Sequence, residues 1–122
     1  MLHRARGLRL VASLLVLGCG AGGSFTPAEG APQRAARSPQ SVEVVANAGP
    51  EHVELGQIKA ASGVHPPTGD GKDEVLAQLK EIAGEHGCEA IVVNEPEEDL
   101  YATSNGTPLY KTHQRARCFA KR

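Results

Sequence analysis

One stretch of the chain has the hydrophobic spacing of an amphipathic helix. Its apolar residues fall on a single helical face and comprise Val75, Leu76, Leu79, Ile82 and Ala83. Asp70 precedes the stretch and is typical of an N-cap, whereas Gly87 follows it and is typical of the residue at which a helix ends. The spacing therefore predicts one helix between these two residues.

Four further stretches have the alternating or continuous apolar pattern of strands: 42–45, His52–Ala61, Ala90–Val93 and 109–120. Gly56, inside the second of them, is typical of a β-bulge. Residues 95–99 are acidic and are expected to form a solvated loop. The order β-β-α-β-β predicts an α+β fold, a two-layer sandwich with one amphipathic helix packed on a small, mostly antiparallel sheet.

Alternation along the last stretch separates two faces. The even-numbered side chains are expected to be buried, and the odd-numbered side chains include Lys111, Arg115 and Arg117. This basic face suits the docking of an acidic protein patch or of an anionic envelope polymer such as lipopolysaccharide. Alternatively, the charges only keep an outer strand from aggregating.

Residues 1–18 have the pattern of a signal peptide. Arg4, Arg6 and Arg9 precede a run of eight apolar residues. A span needs about 20 such residues, so the run is too short to cross a bilayer. Export into the cell envelope is the prediction.

The end of this leader, Val16-Leu17-Gly18-Cys19, resembles the bacterial lipobox, in which aliphatic and small residues precede an invariant cysteine. The resemblance implies cleavage before Cys19 and attachment of lipid to it, which makes the protein a membrane-anchored lipoprotein. Gly20 stands where an Asp retains such proteins in the inner membrane, so the resemblance implies the outer membrane. An ordinary secretory signal, cut within residues 21–23, is the alternative.

Residues 19–41 are rich in Gly, Ala and Pro and contain almost no large apolar side chain. This composition cannot build a core and predicts a disordered linker behind the lipidated end. The small α+β domain is then expected over 42–122, where 8 Lys and Arg stand against 13 Asp and Glu, a net charge of −5. Nucleic acid is excluded as the default partner, because phosphate binding depends on a positive surface.

A small domain with few aromatic residues gains from a covalent cross-link. Once Cys19 carries lipid, Cys88 and Cys118 are the two remaining cysteines, and a register that sets Asn94 opposite Thr112 also sets them opposite each other. In an oxidising compartment we expect them to form a disulfide that closes a loop of about 30 residues and contributes about 3 kcal/mol.

The rival interpretation is a metal site of His86, Cys88 and Cys118, with His113, because Cys and His are zinc ligands. The disulfide is favoured, since the spacing differs from common zinc motifs and His113 falls on the face opposite Cys118. His65 is expected to be exposed. The sequence shows no catalytic or cofactor motif, which predicts a binding module that is not an enzyme and needs no cofactor.

Several segments together are similar to the RcsF-like outer-membrane lipoproteins, which are envelope-stress sensors, and in part to small heavy-metal-binding-like α/β domains. They are Leu55-Gly56-Gln57-Ile58, Ser62-Gly63, Gly87-Cys88-Glu89-Ala90-Ile91-Val92-Val93, Tyr110-Lys111 and Ala116-Arg117-Cys118. The resemblance implies a non-catalytic sensing or structural module. RcsF-like proteins carry two disulfides, whereas this chain can form one, and Cys88 precedes its strand instead of following it.

Overall fold

The computed structural model describes residues 22–67 and 71–122. The predicted leader, the proposed lipidation site Cys19 and the predicted N-cap Asp70 lie outside the described residues. The elements are β1 (Gly22–Pro27), a 3-10 turn (Pro39–Ser41), β2 (Glu43–Val44), β3 (His52–Ala61), α1 (Gly71–Glu85), β4 (Ala90–Val93), β5 (Glu97–Ser104) and β6 (Thr107–Lys121). The fold is α+β, as predicted, because α1 packs on one mostly antiparallel sheet.

Strand β6 organises the sheet. The strand order is β1-β3-β6-β4-β2, and β5 also pairs with β6, beyond the end of β4. All pairs are antiparallel except the short pair of β2 with β4. The predicted order β-β-α-β-β is therefore wrong in detail, since it lacks β1 and β5.

The segment predicted to be a disordered linker is folded from residue 22 onward. β1 pairs antiparallel with β3, and the ring of Phe25 stacks on His86 at 3.8 Å. A Cβ at Gly23 or Gly56 would collide with the backbone of the neighbouring strand, so glycine permits this close approach. The prediction failed because the residues of β1 have a low preference for strands. The strand forms because the edge of β3 offers it hydrogen-bond partners.

The acidic segment predicted to be a loop is partly a strand. β5 begins at Glu97 and forms a hairpin with β6. Asn105 and Gly106 connect the two strands with φ values of 51° and 81°, which match the type I′ turn favoured in hairpins. Charged residues occupy the start of β5 because each of its side chains is exposed and remains hydrated.

The helix confirms its predicted face and its predicted end. Gly87 adopts φ 77°, and the Cys88 N–H donates to the Ala83 carbonyl at 2.9 Å, the pattern of a Schellman cap. One side of the sheet and one face of α1 bury the core, which includes Leu55, Ile58, Val75, Leu79, Ala83, Ile91, Ala116, Cys118 and Ala120. No helix within 22–67 and 71–122 has the length and apolar character needed to cross a membrane.

The predicted disulfide is present: Cys88 is bonded to Cys118, with their Cα atoms 5.5 Å apart. The register used to predict it is wrong, because Ile91, not Cys88, lies opposite Cys118 in the sheet. Cys88 lies between the end of α1 and β4, and its backbone N–H bonds to Ala83 in the last turn of the helix. The bond therefore joins the segment that ends α1 to β6, and not two directly paired strand residues.

Candidate functional site

The face of the sheet opposite α1 is open to solvent and carries the predicted basic residues. Along β6 the even-numbered side chains from Thr112 to Ala120 are buried, whereas His113, Arg115 and Arg117 are exposed. This alternation agrees with the predicted separation of faces. The open face is therefore the candidate interaction surface, and its cations differ in how they are paired.

Two of the three predicted binding cations are already engaged. Arg117 Nη2 lies 2.7 Å from Glu54 Oε1, and its guanidinium lies 5.0 Å from the centre of the Phe119 ring. Lys111 Nζ lies 5.4 Å from the centre of the Tyr101 ring. The carboxylate of Glu54 offsets the charge of Arg117, whereas the ring contact of Lys111 positions its ammonium group without neutralising it.

Arg115 differs, and it has a neighbour that the sequence did not reveal. Lys59 on β3 lies directly opposite Arg115 on β6. Neither side chain forms an ion pair with a carboxylate among the described residues. Like charges at directly opposed positions repel each other. An anion bound between Lys59 and Arg115 would relieve this repulsion.

These two cations lie in a cleft of about 490 Å³ on the open face. Gly22, Gly23 and Ser24 of β1 line one side of the cleft, and Glu95, Glu97 and Asp99 line the opposite side. His113 of β6 contacts the acidic side of the cleft, because its Nε2 is 3.3 Å from Asp99 Oδ2. The cleft thus places a pair of cations next to a row of carboxylates.

A buried polar cluster lies on the other face and escaped the sequence analysis. His65, expected to be exposed, is 8% exposed, and its Nε2 is 2.8 Å from the hydroxyl of Thr112. His65 Nδ1 is 2.8 Å from the Pro66 carbonyl, which only accepts, so Nδ1 carries a proton. The Thr112 hydroxyl, which has one proton to donate, also has Glu98 Oε1 within 3.5 Å. Ser62 Oγ accepts the Thr112 backbone N–H at 2.9 Å.

This cluster places a hydroxyl beside an imidazole, the arrangement of an activated nucleophile. Thr112 is fully buried, however, and a Cβ at Gly71 would already collide with it. No substrate reaches a hydroxyl enclosed in this way. We therefore assign the cluster a structural role, in which it fastens the loop after β3 to β6.

The rival metal site is not assembled. The sulfurs of Cys88 and Cys118 are bonded to each other, and His86 stacks on Phe25 with an angle of 8° between the rings. Burial lowers the pKa of His86 below its ordinary value of 6.5. Within 22–67 and 71–122, no group of three or more His, Cys, Asp or Glu side chains is arranged to hold a metal ion.

Comparison with known proteins gives one structural neighbour. No protein-family model and no curated protein matches the sequence. The fold is similar to the crystal structure of a Francisella virulence factor, FvfA, with a TM-score of 0.58 and 16% sequence identity. The match covers 80% of this chain and 96% of FvfA. At this identity the likeness concerns the fold alone.

Proposed function

We propose that the protein is a lipid-anchored lipoprotein of the bacterial envelope that acts by binding and not by catalysis. The Val16-Leu17-Gly18-Cys19 motif at the end of a short apolar leader carries the anchoring part of this proposal. Lys59 and Arg115 in the open cleft, which have no carboxylate partner in the part of the chain that the structure describes, carry the binding part. The buried disulfide suits an oxidising compartment such as the envelope.

The anchor is tested by mass spectrometry of the protein expressed in a Gram-negative host with its own leader. We expect the mature amino-terminal peptide to begin at Cys19 and to carry a diacylglyceryl group and an amide-linked acyl chain. Cys19→Ala should leave the leader uncleaved. A mature protein cut within residues 21–23, without lipid, would contradict the anchor.

The ligand we propose for the Lys59–Arg115 side of the cleft, away from the carboxylates that line its other side, is an anionic group of an envelope polymer, namely a phosphate such as lipopolysaccharide carries. A phosphate accepts charge-assisted hydrogen bonds from a lysine and an arginine together. The cleft is concave and has a volume of about 490 Å³, which fits a compact head group better than a flat protein patch.

Binding is measured with purified protein and lipopolysaccharide, with dephosphorylated lipopolysaccharide as the ligand control. We expect Arg115→Gln to weaken binding about tenfold, since one charge-assisted hydrogen bond contributes about 1.5 kcal/mol. Arg117→Gln is the matched control, because it removes the same charge from the same face where Glu54 already neutralises it. Equal losses in both variants, or binding that ignores the phosphates, would refute the assignment to the cleft.

A further inference from the structure

The β5–β6 hairpin extends beyond the rest of the sheet at the end where β1 begins. Gly22 lies opposite Ala61, and Ala61 lies opposite His113, so the start of β1 is level with His113. Both β1 and β6 run antiparallel to β3 and therefore run in the same direction. Residues 107–112 of β6 precede His113 and extend past Gly22 by about 20 Å, or about 14 Å after allowing for sheet twist.

The proposed lipid site attaches at this same end. Cys19 is three residues before Gly22, and three residues span at most about 11 Å. The membrane surface that holds the lipid therefore lies within the length of the hairpin. A long flexible linker, as the composition suggested, would have left the orientation of the domain free, but β1 begins too soon after Cys19 for that.

The end of this hairpin differs in composition from the rest of the chain. Residues 100–110, named here the hairpin tip, contain no charged residue, although 22% of the chain is charged. The hairpin tip contains both tyrosines of the protein, and its Leu100 and Tyr101 are 63% and 61% exposed. Charge resumes at Asp99 and Lys111, which lie opposite each other at its base.

The apolar side chains leave the hairpin on both of its faces. Leu100 lies opposite Tyr110, whereas Tyr101 lies under the ammonium group of Lys111, one position further along β6. A protein partner covers one face or one edge, but a bilayer surrounds an inserted tip on all sides. Tyrosine has an apolar ring and a polar hydroxyl, and it is enriched where a membrane meets water.

We propose that the hairpin tip inserts into the interface of the bilayer that holds the Cys19 lipid. This inference rests on the proposed lipid anchor. The cleft with Lys59 and Arg115 then lies close to the membrane surface. The protein is held at two points, so its orientation on the membrane is fixed.

The chain has no tryptophan, so a single introduced indole reports its own surroundings. Tyr101→Trp places it on the hairpin tip, and Val44→Trp is the matched control on β2, where Val44 is 43% exposed. Val44 is level with Cys118, toward the opposite end of the sheet. The full chain is processed in its host, purified and reconstituted into vesicles of phosphatidylethanolamine and phosphatidylglycerol, with and without brominated acyl chains.

We expect the emission of the Tyr101→Trp variant to shift to shorter wavelength and to be quenched by the brominated lipid several-fold more than that of the Val44→Trp variant. Adding Leu100→Glu to the first variant should return the quenching to the control level, because a carboxylate is costly in the interface.

Equal quenching at the two positions, in protein shown to carry lipid, overturns the inference and leaves the anchor intact. A blue shift without lipid quenching that grows with protein concentration also overturns it, since a second copy then covers the tip. An unmodified Cys19 in the mass spectrum is the separate failure of the anchor itself.

Discussion

The body of the domain and its β5–β6 hairpin differ in how far their side chains are buried. In the body, α1 and one side of the sheet enclose an aliphatic core, and a disulfide joins the two layers. In the hairpin, every residue of β5 is exposed, and the contact with the rest of the chain includes the bridge between His65 and Tyr110. Side chains of the body thus contribute mainly to stability, whereas those of the hairpin are available for an interaction.

The largest expected difference in the free energy of unfolding is between a leucine substitution in the body and one in the hairpin. Leu79→Ala should lower the free energy of unfolding by about 3 to 4 kcal/mol, because Leu79 is fully buried and its loss leaves a cavity. Leu100→Ala should change it by less than about 0.5 kcal/mol, since Leu100 is already exposed to water. Urea denaturation of both variants checks this. A comparable loss in the two would mean that the hairpin is part of the core.

The disulfide is expected to contribute slightly less to the free energy of unfolding than the side chain of Leu79 does. Replacing both Cys88 and Cys118 by Ser should cost about 3 kcal/mol, because the unfolded chain regains the freedom of a loop of about 30 residues. Denaturation of the variant beside the oxidised protein measures the difference. Alkylation supplies the control, since the folded mature protein should expose no reactive thiol without a reductant. Two alkylated cysteines under those conditions would contradict the bond.

A smaller difference in stability is expected between a threonine substitution in the body and one in the hairpin. Thr112→Val keeps the shape of the side chain but removes the hydroxyl that contacts His65 Nε2 and Glu98, and we expect a loss of about 2 kcal/mol. Thr103→Val is the matched control on the hairpin, where the side chain is exposed and the change should be within about 0.5 kcal/mol. Thermal unfolding of the pair tests whether the buried cluster is structural. Equal melting temperatures would show that the cluster contributes nothing.

The smallest effect concerns pH and the end of α1. The pKa of His86 is lower in the folded protein than its ordinary value of 6.5, so below that pH the unfolded chain binds the proton first. This contribution makes stability fall as the pH drops below about 6.5. Burial, and secondarily the nearby Glu81, raise the pKa of Glu85, which acts in the opposite direction at lower pH. His86→Gln should flatten the first slope, as denaturation at several pH values would show; an unchanged slope would contradict it.

Local physics made part of the fold readable from the sequence. The face of α1, its end at Gly87 and the burial alternation of β6 from Thr112 to Cys118 depend on residues close in the chain and were predicted correctly, whereas Phe119, on the odd-numbered face, is buried. The Asn105–Gly106 turn also follows from local preferences, because both residues tolerate positive φ. The disulfide followed from the number of cysteines and the expected compartment. Its prediction succeeded even though the register assumed for it was wrong.

The remainder depends on contacts between distant segments. β1 exists because the edge of β3 accepts it, and its own sequence of small residues and proline does not favour a strand. The candidate cleft likewise needs Lys59 beside Arg115, a pairing between distant parts of the chain that only the register of β3 on β6 decides. The sequence alone thus determined which residues carry charge and which aliphatic side chains of α1 and β6 lie inside. Tertiary structure decided which charges meet, because strand order and register follow from the packing of the whole sheet.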